Sequence, residues 1–270
     1  MHQISTLEDL AEEEQFILVD NCAIHSRIFW KDGNDFARIL YCDNPEKVID
    51  DFREIYAFLD TPNVFTVLGV IREFTGYIER FNNFLEFQHN ILPINKRTKN
   101  FQEIIRILKK AREKLREKEL SIRYHKKDER YKLISNCFYD ISRKLGIVDR
   151  KSTDVDLLTY AVYLSTTYED LRPSIITNDY DIVRRLLLFK DMENQHNIKL
   201  TQDIKIYSNY EWWDKSQNNL NSLKINLIYH TDAEDDEKFA FETHLALRKI
   251  THKRVKKVHD GITEAPLISA

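Results

Sequence analysis

Short apolar segments alternate with amphipathic helical segments along this chain, and this alternation constrains its fold more than any other feature. Residues 16–19 (FILV) contain no polar side chain, which is typical of a buried strand in a parallel sheet. Strands are also predicted at residues 64–68, 174–177 and 203–207. Helices are predicted at residues 45–59, after Gly69, at residues 98–120 and 130–145, from Ser152-Thr153-Asp154 onward, and at residues 182–189. This order favours a three-layer, Rossmann-like α/β fold in which helices flank a central parallel sheet.

The pattern loosens after residue 210. A further strand is predicted at residues 223–229 and a further helix at residues 235–250. We therefore expect an α/β domain over residues 1–210 and a C-terminal extension over residues 211–270. The helices between about residues 96 and 146 are predicted to form a basic insertion in that domain. A chain of 270 residues is long enough for one large domain with an appendage.

Four acidic residues stand at the edges of apolar segments: Asp20, Glu73, Asp154 and Asp179. The carboxyl ends of neighbouring parallel strands meet at one rim of the sheet, where ligands bind. Carboxylates brought together there repel one another unless protons or metal ions neutralise them. The spacing therefore predicts a Mg²⁺ or Mn²⁺ site, since these ions prefer oxygen ligands.

Each acid also has a purely structural interpretation. Asp154 follows Ser152 and Thr153 and is a good residue for a helix start, and Asp179 could cap the helix that follows it. Taken alone, each acid is more often a turn or cap residue, whereas four in succession favour a site. Asp156 is the alternative to Asp154 as the third acid.

The charge distribution indicates a polyanionic partner. The net charge is −3, yet residues 96–132 hold 15 Lys and Arg against 6 Asp and Glu. A basic segment near an acidic site suits an enzyme that acts on nucleic acid. The candidate phosphate-binding residues are Arg106, Lys109, Lys110, Arg112, Arg123, Lys126 and Lys127. Glutamates interspersed with them support equally a solvated helix held by ion pairs between successive turns.

The three cysteines form no CxxC pair, which favours free thiols in a reducing compartment. The acidic start of the chain does not resemble a signal peptide, and the apolar runs are shorter than the roughly 20 residues of a membrane span. We therefore expect a cytoplasmic protein without a membrane partner.

Four segments, in order, resemble the PIN-domain family of metal-dependent nucleases. The first, FILVDNCAI at residues 16–24, is similar to the family's first strand and its Asp. VLGVIRE at residues 67–73 resembles the turn that presents a Glu, and STDVDLLTYA at residues 152–161 the helix start that presents the third acid. IITNDYD at residues 175–181 is similar to the family's Thr-x-Asp-x-Asp strand end. The resemblance covers about residues 14–208.

The resemblance implies hydrolysis of phosphodiester bonds in single-stranded RNA, hence an endoribonuclease with one or two Mg²⁺ or Mn²⁺ ions. Asp20, Glu73, Asp154 and Asp179 would bind metal directly or through water, and Asp156 and Asp181 are further candidate ligands. Asn21 and Thr177 would orient the ligands. A homodimer or a protein partner is compatible with the family.

The chain departs from the family in Asn21-Cys22, which stand where many members have Ser or Thr and then Asn, and in its long basic insertion. These departures leave open an inactive RNA-binding or scaffold protein of an RNA-processing complex. A flap-type DNA nuclease is disfavoured because the whole chain has only five glycines, and a Rossmann dehydrogenase because it lacks a GxGxxG motif.

Overall fold

A computed structural model describes residues 4, 6–25, 45–91, 93–94, 101–120, 125–147, 153–208 and 225–233 of the chain. Within these ranges, five strands form one sheet in the order β2-β1-β3-β4-β5. The strands are β1 (Phe16–Val19), β2 (Val64–Phe65), β3 (Pro173–Ile176), β4 (Lys205–Ser208) and β5 (Asn226–His230). β1 to β4 are parallel and β5 pairs antiparallel with β4, so the sheet is mixed and mostly parallel.

Helices flank the sheet, and most follow the order that the periodicity predicts. They are α1 (Leu7–Glu13), α2 (Asn21–His25), α3 (Pro45–Asp60), α4 (Leu68–Ile91), α5 (Phe101–Glu117), α6 (Glu129–Lys144), α7 (Thr153–Thr167), α8 (Tyr180–Asp191) and α9 (Glu193–His196). α7 is buried on nearly all sides, which is typical of a helix between a sheet and other helices. The α/β class is thus confirmed.

The four strands predicted for the parallel sheet are parallel, but the sheet also contains β5, which lies in the predicted C-terminal extension, so the sheet as a whole is mixed. The sequence predicts a strand at residues 223–229, and the observed β5 pairs antiparallel with β4. The predicted second strand is also shorter, because α4 already begins at Leu68. The compact unit runs from Met1 to Thr231 and a second unit from Asp232 to Ala270, so β5 belongs to the first. The helix predicted at residues 235–250 lies outside the described residues.

Two glycines explain local features of the helices. Gly146 has φ +67°, and the amides of Gly146 and Ile147 donate to the carbonyls of Arg143 and Ser142. This is the Schellman arrangement that ends α6 at the predicted glycine. Gly69, in the first turn of α4, faces Thr153 at the start of α7 so closely that an added Cβ would stand 2.4 Å from the Thr153 hydroxyl oxygen. The absence of a side chain at Gly69 therefore lets the two helix starts meet.

The strand order places a topological switch point between β1 and β3. From β1 the chain passes to β2 on one side, and from β3 it passes to β4 on the other. In parallel α/β sheets, ligands bind beyond the carboxyl ends of the strands at such a point. Val19 and Ile176 are register partners at those ends, so Asp20 and Thr177 emerge side by side.

Candidate acidic site at the switch point

Asp20 is the buried centre of the site, with 4% of its surface exposed. Its backbone amide donates to the carbonyl of Ile176, which continues the pairing of β1 with β3. Its Oδ2 atom accepts hydrogen bonds from the Thr177 hydroxyl at 2.7 Å and from the Cys22 thiol at 2.6 Å. Two neutral donors therefore hold one carboxylate oxygen in a fixed position.

The loop after β3 sets the direction of those two donors. The amide of Asp179 donates to Thr177 Oγ1 at 2.9 Å, and the amide of Asn178 donates to Cys22 Sγ at 2.9 Å. Because each hydroxyl or thiol accepts from a backbone amide, its own hydrogen is directed towards Asp20. Thr177, predicted to orient a ligand, thus contacts the predicted ligand Asp20.

Asn21, the residue after Asp20, connects the site to α4. Its Nδ2 atom lies 3.3 Å from Glu73 Oε2, so the α2 start reaches the second turn of α4. Asn21 is 3% exposed, and its buried Oδ1 atom has no hydrogen-bond partner among the described residues. An unpartnered buried amide oxygen is costly, and it is also a suitable oxygen ligand for a hard cation.

Three carboxylates are close enough to influence one another. The pKa of Asp20 is raised from 3.8 to about 6, chiefly by burial; the hydrogen bonds from Cys22 and Thr177 lower it, and the negative charges of Asp179 and Glu73 add to the increase. Burial and the charges of Asp20 and Asp179 also keep the pKa of the Cys22 thiol well above its ordinary value. Cys22 is therefore a neutral donor here and not a thiolate nucleophile.

Asp154 and Asp156 face different surroundings, because residues two apart on a helix point to different sides. Asp154 Oδ2 accepts a hydrogen bond from Arg185 Nη1 at 2.9 Å. Asp156 lies towards α6, where its charge adds to the effect of burial in raising the pKa of Tyr131. Of the two candidates for the third acid, Asp154 directly follows Thr153, which meets Gly69 of α4, the helix that carries Glu73.

Asp179 and Asp181 also have structural partners. Asp179 is the N-cap of α8, since its Oδ1 atom accepts from the amide of Asp181 at 2.8 Å. The cap interpretation is therefore confirmed, and the negative charge of the same carboxylate contributes to the raised pKa of Asp20. The Asp181 carboxylate pairs with Arg184 at 2.9 Å, one turn along the helix.

The donor chemistry fits a divalent cation, with a restriction on how many acids could bind it at once. A bound hard cation would lower the raised pKa of Asp20, and it could be coordinated by the unpartnered amide oxygen of Asn21. Among the described residues, however, no three His, Cys, Asp or Glu side chains are arranged as a metal-binding group. Ligation by fewer acids, completed by an amide oxygen and waters, is the coordination that Mg²⁺ commonly adopts.

The candidate phosphate-binding residues differ in their surroundings. Lys109, Lys110, Lys126 and Lys127 are exposed, whereas Arg106 is paired with Glu103 at 2.6 Å. Arg112 is partly buried, and Arg123 lies outside the described residues. Ion pairs such as Lys114 with Glu117 accompany them on α5, so the helix combines the solvated pattern with exposed cations.

Sequence reasoning did not single out Arg185, the largest of the fully buried side chains. It occupies an inward position of α8 together with Ile182, Leu186 and Phe189, so a cation within an apolar helical stripe was the available signal. Its partner could not be read from the chain.

Comparison of the chain with protein-family models, with curated proteins and with solved structures finds no match. None of the described helices is long and apolar enough to cross a membrane.

Proposed function

We propose that the chain is a metal-dependent endoribonuclease of the PIN type, with a three-layer PIN-like fold over its first unit. The proposal is carried by Asp20, which is buried at the switch point within electrostatic range of Glu73 and Asp179, so that its pKa is raised to about 6, chiefly by burial. Such an arrangement destabilises the fold, and destabilising charge clusters are concentrated at functional sites.

In this proposal the chain's own residues bind and orient. Asp20, Glu73 and Asp179 bind Mg²⁺ or Mn²⁺ directly or through water, and Thr177 and Asn21 hold Asp20 and Glu73 in place. The bound ion would polarise the phosphodiester and activate a water molecule for attack. Asp154, Asp156 and Asp181 are kept as further candidate ligands.

The exposed cations of α5 and of the turn before α6 would bind the phosphate backbone of single-stranded RNA. Lys109, Lys110, Lys126 and Lys127 are exposed members of the predicted set that form no ion pair with an acid among the described residues, whereas the exposed Arg106 is paired with Glu103. Their contribution would be sequence-independent and would weaken with added salt, because phosphate binding releases counterions.

The test is cleavage of a labelled single-stranded RNA pool with Mn²⁺ or Mg²⁺, with EDTA as the blank. Asp20→Asn and Asp179→Asn are compared with Asp170→Asn, which changes an exposed acid in the turn before β3. We expect metal-dependent cleavage by the wild type and by Asp170→Asn, and its loss in both site variants. Cleavage that survives both site changes would refute the assignment.

A second candidate is an inactive RNA-binding or scaffold protein. The ion pair of Asp181 with Arg184 favours it, because it engages one of the candidate ligands. RNA binding by a folded wild type without cleavage, unchanged in Asp20→Asn and Asp179→Asn, would support this second function over the first.

A further inference from the structure

Arg185 of α8 has no exposed surface although it carries a permanent positive charge. Burying a guanidinium is costly unless well-placed anions and hydrogen-bond acceptors compensate it. A buried arginine inside an apolar helix face therefore indicates a specific partner.

The contacts of Arg185 join three helices. Nη1 donates to Asp154 Oδ2 in α7 at 2.9 Å, and Nε donates to Ser142 Oγ in α6 at 2.9 Å. The Ser142 hydroxyl in turn donates to the Phe138 carbonyl at 2.8 Å, so its orientation is set by α6. The planar guanidinium is thus anchored on one side by Ser142 and points to Asp154 on the other.

The two ends of the ion pair differ in exposure. Arg185 is wholly buried, whereas the Asp154 side chain is 24% exposed, so the carboxylate reaches the surface from a buried support. The neighbouring Thr153 meets Gly69 of α4, one helical turn before Glu73. Asp154 is therefore the residue next to the contact between α7 and the helix that carries Glu73.

We propose that Arg185 is a positioning residue that holds the Asp154 carboxylate at the acidic site. This inference rests on the proposed function. Since Arg185 is buried, it acts through Asp154 and contacts neither RNA nor the ion. Partners that orient a ligand from behind change metal affinity or activity by roughly 10- to 100-fold when they are removed.

The experiment measures the rate of RNA cleavage against Mn²⁺ concentration, normalised to the folded fraction from circular dichroism. The variants are Arg185→Met, Arg185→Lys, Asp154→Asn and the double variant Arg185→Met with Asp154→Asn. Arg143→Met is the matched control, because Arg143 is an exposed arginine of α6 paired one turn away. Ser142→Ala removes the Nε anchor and leaves both partners of the ion pair.

We expect Arg185→Met to raise the Mn²⁺ concentration for half-maximal cleavage by roughly 10- to 100-fold. Arg185→Lys should shift this Mn²⁺ concentration less, because lysine keeps the positive charge but lacks the planar guanidinium with its several fixed donors. The double variant should be no worse than Asp154→Asn alone, and Arg143→Met should match the wild type. If Arg185→Met does not fold, Arg185→Lys and Ser142→Ala carry the comparison.

Wild-type Mn²⁺ dependence in the folded Arg185 variants would overturn the positioning role and leave the nuclease proposal standing. Multiplicative losses in the double variant would overturn it as well, since they mean that the two residues act independently. A wild type that neither cleaves RNA nor binds Mn²⁺ in a calorimetric titration would refute the proposed function, and this inference with it.

Discussion

The ionised carboxylate of Asp20 should destabilise the fold of the metal-free protein at neutral pH. Asp20 is 4% exposed and lies near Asp179 and Glu73, and its pKa rises from 3.8 to about 6. A pKa increase of this size corresponds to about 3 kcal/mol of folding stability.

The direction of the effect follows from proton binding. The folded chain binds the Asp20 proton more tightly than the unfolded chain, so this group favours folding most below pH 3.8. That contribution is lost as the pH rises through about 6. Asp20→Asn removes the titration, and its amide oxygen can still accept from Cys22 and Thr177. We therefore expect the variant to be more stable than the wild type by about 1–3 kcal/mol at pH 8, with little difference at pH 4.

The assay is urea unfolding followed by circular dichroism, with EDTA present, across this pH range. The difference between variant and wild type is the informative quantity, because other titrating groups largely cancel in it. Asp170→Asn, an exposed change, should show no such pH dependence. A difference that is constant with pH, or a variant less stable than wild type at pH 8, would refute the reasoning from burial and repulsion.

Three further predictions concern packing, a buried charge and the basic helix. Gly69→Ala should destabilise the fold by about 1–3 kcal/mol in urea unfolding, since its Cβ would collide with α7. Gly76→Ala, in open space on the same helix, should stabilise it by about 0.5–1 kcal/mol. Glu14→Gln should cost about 1–3 kcal/mol in the same assay, because the buried Glu14 carboxylate accepts from Ser174, Lys205 and Tyr207. Charge reversal at Lys109 and Lys110 should weaken RNA binding and reduce the salt slope by about 0.7 for each phosphate that is no longer neutralised.

Each of these has a result that contradicts it. Equal stabilities for the two glycine variants would mean that α4 and α7 separate freely. A Glu14→Gln variant with the free energy of unfolding of the wild type would mean that the Lys205 ammonium is as well stabilised by solvent as by the Glu14 carboxylate. Lys199→Glu, an exposed change on the loop before β4, is the control for the charge reversal. If the salt dependence of RNA binding is unchanged by reversal at Lys109 and Lys110, RNA does not bind at these two residues.

Local patterns anticipated much of the fold. The first strand was predicted at its observed bounds, and the end of α6 at Gly146 followed from one residue type in one position. Both depend on interactions within a few residues. The antiparallel pairing of β5 with β4 depends on how the whole sheet packs, and no short-range pattern carries that information.

The candidate site divides in the same way. The chain by itself determined which acids follow apolar segments and, through the parallel strands, that Asp20 and the residues after Ile176 share one rim. Only the tertiary structure decided that Asp20 is held by Thr177 and Cys22, and that Asp154 rests on Arg185, whereas Asp156 lies towards Tyr131. The physical reason is that periodicity records which face of an element is buried, whereas a partner for a buried charge is chosen by the packing of elements distant in the chain.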